Sequence, residues 1–211
     1  MIGKVLKTSV LLALIFFGSM TSLHAGLSER YVTEIVDSFA REIEREYGLT
    51  CQASGRRMPR GVETIKVRFT AERRATVDEA RELLVQVRER FVQRVNSHEK
   101  IRPFLQDYPF TSDKVDIKIT FHKPDNTYYS DGSVTAVRSA SRGKMIAYEG
   151  IEPQKKVIFG TIDVVKNIVI PDKLVQEEVF VQLLREPYQE ALYLTQGKGK
   201  EATTVAAKVG R

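Results

Sequence analysis

The chain is poor in the residues that staple small proteins or hold metals. Its 211 residues include one cysteine, three histidines and no tryptophan. A single thiol excludes an internal disulfide framework and any cysteine-cluster metal site. His24 falls in the N-terminal leader described below, so only His98 and His122 remain for the body, too few for an imidazole-rich zinc centre. His98-Glu99 opens like a zinc-protease helix motif, but Arg102 stands where the second histidine is needed. The glycine-rich dinucleotide fingerprint, the phosphate loop ending in Gly-Lys-Ser/Thr and the Gly-x-Ser-x-Gly elbow are all missing. No cofactor, no metal and no catalytic residue set is therefore expected. Long apolar runs are scarce too. Val10–Phe17 is eight residues, against the ~20 that a spanning helix requires.

That short run is informative by its setting. Lys4 and Lys7 precede it, and Gly18 to Ala25 is a small, polar exit closing on Leu23-His24-Ala25. This is the layout of a secretory signal peptide spanning 1–25, with no transmembrane anchor left after cleavage. No cysteine follows the cut, which argues against a lipoprotein. The expected location is outside the inner membrane, periplasmic or secreted.

Removing the leader changes the charge argument. The whole chain carries +6. The leader holds two lysines, and the stretch 196–211 holds Lys198, Lys200, Lys208 and Arg211 against Glu201, so the span 26–195 is left at only +1. Nucleic-acid binding by the whole domain is not expected from that balance. The body of about 170 residues suits one domain with its own core, followed by a disordered basic tail at 196–211.

Patterning supplies the fold class. Ser28 to Tyr47 repeats apolar residues at three- and four-residue steps, with Gly48 placed to cap it and a charged outer face of Arg41, Glu42, Glu44, Arg45 and Glu46. Leu49, Cys51 and Ala53 alternate with polar residues. A turn from Gly55 to Gly61 leads into a second alternating run through Ile65, Val67, Phe69 and Ala71. Thr76-Val77-Asp78-Glu79 reads as a capping box opening a helix to about Asn96. Phe104, Leu105, Tyr108 and Phe110 read as core plugs. Val115, Ile117, Ile119 and Phe121 then face inward against Asp116, Lys118, Thr120 and His122. A hairpin follows at Val134–Ala140 and Met145–Glu149, with more strand from Val157 to Val165 and at Ile168–Ile170. Pro171-Asp172 is expected to open a last helix, with Leu174, Val175, Val179, Leu183 and Leu184 inward and a break at Pro187. The order α-β-β-α-β-β-β-β-α implies an α+β fold, its amphipathic helices on one face of a mainly antiparallel sheet.

Three functional readings compete. The most distinctive feature is the basic turn Arg56-Arg57-Met58-Pro59-Arg60, with Lys66 and Arg68 on the outward phase of the next strand. Arginine forks match carboxylate or phosphate. These five basic residues predict a binding protein for an acidic partner: an acidic protein, a lipid headgroup or a cell-wall polymer. The alternative reading of the turn is a charged tip paired to acidic residues of the first helix. A second reading is a small envelope hydrolase or transferase with Cys51 as nucleophile and His98 or His122 as base, although the phase of Cys51 favours a buried, inert thiol. The third is a structural subunit of an envelope assembly. Tyr128-Tyr129 is a candidate sugar- or peptide-contacting lip. Asp125, Thr127, Ser130 and Asp131 miss the calcium-loop spacing, and Glu149 with Glu152 is an acidic pair of no specificity.

Overall fold

The computed structural model describes residues 26–59, 61–158, 162–163, 168–169 and 173–197; side chains are described outside 155–176. Residues 1–25, Arg60, parts of the strand expected at Val157–Val165, Ile170 with the Pro171-Asp172 helix start, and the stretch 198–211 lie outside the described residues.

The fold is α+β. Helix α1 covers 26–47, and Gly48 ends it in the left-handed conformation (φ +65°), its N–H reaching the Glu44 carbonyl at 3.0 Å. Strands β1 (Thr50–Arg57) and β2 (Thr64–Ala71) form an antiparallel hairpin. Helix α2 (Val77–Ser97) starts at the predicted capping box: Glu79 N–H donates to Thr76 Oγ1, and the Thr76 N–H donates to the Glu79 carboxylate at 2.8 Å. Two short 3-10 turns lead into β3 (Val115–Phe121), and β4 (Ala136–Ala140), β5 (Met145–Ile158), β6 (Ile162–Asp163), β7 (Ile168–Val169) and β8 (Lys173–Pro187) follow. A closing helix, α3, covers 188–197.

The main sheet has the order β1-β2-β3-β4-β5-β8, while β6 and β7 form a separate two-stranded ladder. Four of its five ladders are antiparallel; β2 and β3 run parallel, joined through α2. A parallel pair needs a crossover of a dozen or more residues, and the α2 segment supplies it.

The core lies between the sheet and the helices. Ile65, Val67 and Phe69 of β2, alternate residues Val115 to Phe121 of β3, and Val137 and Tyr148 meet Phe39 of α1 and Leu84, Val87 and Phe91 of α2. Phe39 and Phe91 contact edge to face at 5.0 Å. Each such fully buried side chain contributes ~1.5–3 kcal/mol. The charged face of α1 is not simply solvated: Glu42 pairs with Arg90 and Arg94 of α2, and Glu46 with Arg90.

Several local expectations are corrected. Residues 173–187 form a 15-residue strand, not a helix, and Pro187 ends that strand before α3 begins. The run Val179-Phe180-Val181 suits a pleated surface, and a ladder with β5 along its length outweighs the local helical spacing of the leucines. The turn after β1 starts later than predicted, because Gly55, Arg56 and Arg57 are still paired to Lys66, Ile65 and Thr64. Among the predicted core plugs Phe110 is buried and Phe104 and Leu105 are half-buried, but Tyr108 is 55% exposed, with Arg102 standing 5.3 Å from its ring. Helix α3 extends to residue 197, two positions into the stretch read as tail.

Candidate functional site

The helices occupy one face of the sheet, so the outward phases of its strands line up on the other. Strand register decides which side chains become neighbours there. Arg68 pairs with Lys118, Lys118 with Arg138, Arg138 with Ala147, and Ala147 with Arg185. Neighbouring strands lie ~4.8 Å apart. Arg68, Lys118 and Arg138 therefore form a continuous basic row, and Arg185 continues it beyond the small Ala147. One step back along the strands, Lys66 pairs with Asp116. One step forward, ~7 Å along the strands, a second row runs Thr50, Thr70, Thr120, Ala136 and Glu149.

The charges on this face are unevenly balanced. Asp116 sits 3.4 Å from both Lys66 Nζ and Arg68 Nη1. Glu149 accepts from Arg138 Nε at 2.7 Å. Arg185 donates to Ser141 Oγ at 2.6 Å. Lys118, half-exposed between two arginines, makes no ion pair with any described residue. Asp116 and Glu149 thus answer the two arginines, and Lys118 between them is left without a carboxylate among the described residues.

Clefts open at both ends of the face. One, of about 630 Å³, is lined by Arg57, Lys66, Lys114, Arg138 and Arg142 among carboxylates that include Glu63, Asp113 and Asp116. The other, of about 620 Å³, is lined by Thr50, Gln52, Thr70, Thr120, Glu72, His122, Asn126 and Tyr128. Gln52 is the extra residue where β1 shifts register between Cys51 and Ala53, and its amide donates to Thr70 Oγ1 at 3.0 Å. His122 Nδ1 lies 2.8 Å from the Lys123 carbonyl, an acceptor that requires the proton on Nδ1.

The residues singled out from sequence do not gather into one site. Arg56 is engaged by Glu29 of α1, and Arg57 by Glu63 at 3.1 Å. The tip pairing with the first helix is thus present for Arg56. Arg60 lies outside the described residues. Lys66 and Arg68 do lie on the face opposite the described helices, joined there by Lys118 and Arg138, which sequence reasoning did not select. The outward phase of Lys118 was legible, but its position beside Arg138 depends on register between strands 20 residues apart.

Cys51 faces the core side opposite Phe69 and is half-buried, not fully buried. Its Sγ contacts the Ala53 carbonyl at 3.9 Å, and burial raises its thiol above the ordinary value. Less thiolate forms as a result, which opposes a nucleophilic role. Tyr128 meets Phe180 of β8 edge to face at 5.5 Å, and Tyr129 lies under Arg74 at 4.9 Å. Asp125 and Asp131 close their own turns, and the Thr127 and Ser133 hydrogen bonds hold their carboxyls below the ordinary range.

Sequence reasoning also passed over a buried polar cluster on the helix side. Arg88, fully buried in α2, donates from Nε to the Ser112 carbonyl (2.8 Å) and from Nη2 to that of Gly143 (2.7 Å), and stacks 3.8 Å over Tyr188. Tyr188 Oη donates to Glu89 at 2.6 Å, and Glu186 receives both Arg81 and the Tyr148 hydroxyl. These groups clamp the end of β8 and the start of α3 to α2. Their hydrogen bonds are made inside the fold, save that Arg88 Nη1 has no partner among the described residues.

No family model matches the chain, and neither a curated protein nor a solved structure matches it.

Proposed function

We propose that the chain is an exported binding protein that holds an acidic partner on the face of its sheet opposite the described helices. Export rests on the leader pattern of Lys4, Lys7, Val10–Phe17 and Ala25. The observation that carries the binding reading is Lys118, set between Arg68 and Arg138 without an ion pair among the described residues. Bringing a carboxylate or phosphate to that position gives Lys118 a counter-charge and makes charge-assisted hydrogen bonds. Arg56 plays a smaller part, because its guanidinium is turned to Glu29 of α1, whereas Arg57 lines the cleft at the end of the row together with Lys66 and Arg138.

The test is titration of the purified protein with polyglutamate at low and high salt, since contacts between exposed charges are screened over ~8–10 Å at physiological ionic strength. Binding is expected at low salt and is expected to weaken as salt rises. Lys118→Glu, which places a like charge against the ligand, should weaken it at least about tenfold with little change in melting temperature. Arg56→Ala, which removes a side chain already turned to Glu29, should bind nearly as the parent does. Equal binding by Lys118→Glu and the parent would overturn the reading.

A further inference from the structure

We propose that the acidic partner is an anionic polysaccharide, its charges on the basic row and its hydroxyls in the adjoining threonine-lined cleft. This rests on the binding reading above and names its ligand class.

The argument begins with the two parallel rows. Arg68, Lys118 and Arg138 form one; Thr50, Thr70 and Thr120 form the other, two residues further along β2 and β3. Their separation of ~7 Å is comparable to the width of a sugar ring. A polymer running across the strands lies over both at once. It then needs charged groups along one edge and hydrogen-bonding groups along the other. Polyanions without hydroxyls satisfy only the first row, and neutral glycans only the second.

The chemistry of the cleft supports the same division. Its lining mixes three hydroxyls, the Gln52 and Asn126 amides, the His122 imidazole and the Glu72 carboxylate. That set donates to and accepts from alcohols. Glu72 disfavours an anion inside the cleft, so ligand charge is steered to the row beside it. Tyr128 lines the same cleft, with its ring braced by Phe180. A rigid aromatic group beside planar amides and a carboxylate is well suited to a sugar, which offers both C–H faces and hydroxyls. On the row, Lys118 and the arginine forks accept either carboxylate or phosphate, so the charge on the glycan can come from uronic acids or from phosphodiesters.

The experiment compares four probes on the purified protein by calorimetry at low salt: a galacturonate hexamer, a phosphomannan oligomer, polyglutamate and cellohexaose. At least one charged glycan should bind about tenfold or more tighter than both polyglutamate and cellohexaose, and which one does so identifies the charged group. Thr70→Val with Thr120→Val, isosteric on a strand but lacking the hydroxyls, should remove that margin while leaving polyglutamate binding unchanged. Thr120→Ser, which keeps the hydroxyl, should retain it. Charged glycans binding no better than polyglutamate would overturn the glycan assignment while leaving the acidic-partner reading intact. Cellohexaose binding as tightly as the charged glycans would overturn the role given to the basic row. Absence of binding by all four probes would overturn both proposals.

Discussion

The carboxylate of Glu186 accepts from Arg81 Nε at 2.7 Å, joining the end of β8 to α2 across 105 positions of sequence. Both side chains are close to buried, at 8% and 11% exposed. Tyr148 donates its hydroxyl to the same carboxylate, and Asp78 takes the other end of the Arg81 guanidinium. Removing Glu186 leaves Arg81 only its surface partner Asp78 and leaves the Tyr148 hydroxyl without its acceptor, and a buried polar group deprived of its partner costs about 1–3 kcal/mol. Glu186→Ala is expected to lose stability in that range by urea unfolding. Arg81→Met combined with Glu186→Leu should lose less than the sum of the two single changes, because neither charge is then left alone.

Two tyrosines make stability fall in alkali. Burial, followed by hydrogen bonds to Glu186 and Glu89, holds the hydroxyls of Tyr148 and Tyr188 far above the ordinary phenol range. The fold therefore keeps protons that the unfolded chain releases. Their contribution is fully present below the ordinary phenol pKa of about 10 and is lost progressively above it. Of eight tyrosines, these two should stay un-ionised in a phenolate absorbance titration until the protein unfolds. Their titration together with the exposed tyrosines in a folded sample would contradict the buried arrangement.

Gly143 and Gly132 separate two costs of losing a glycine. Both adopt positive φ, +77° and +85°. A Cβ at Gly143 would lie 2.7 Å from the Asp113 Cα and 2.5 Å from Arg88 Nη2, whereas one at Gly132 meets nothing within 4 Å. Gly132→Ala should cost only the backbone strain, about 1 kcal/mol. Gly143→Ala adds a clash with main chain and displaces the buried Arg88, so its loss should exceed that of Gly132→Ala by about 2 kcal/mol or more. Paired thermal melts of the two variants decide it.

Elements held together by near neighbours were readable in the chain. The Thr76–Glu79 box, the Gly48 stop and the alternation from Val115 to Phe121 each act within a few residues, and each appears where local chemistry puts it. Residues 173–187 show the opposite case. Leu174, Val175, Val179, Leu183 and Leu184 have spacing compatible with a helix, but pairing with β5 along the whole segment makes it a strand. That competition is decided by a partner, and the partner is not visible in the segment itself. The candidate site follows the same division. Alternation alone puts Lys66 and Arg68 on the outward phase, while the fate of Arg56 depends on Glu29 of α1.

By itself, then, the sequence determined the scarcity of thiol and imidazole chemistry, the near-neutral body between two basic ends, the α+β class and the phase of each well-patterned element. These are properties of composition and of contacts a few residues apart. Only the tertiary structure decided that β2 and β3 run parallel, that Arg68, Lys118 and Arg138 stand side by side, and that Thr50, Thr70 and Thr120 form a second row next to them. Register sets those neighbours, and it is held by packing the apolar phases of β2, β3, β4 and β5 into one core with α1 and α2. The outward phase is carried along with it, so the arrangement of the polar face is settled by the burial of the other.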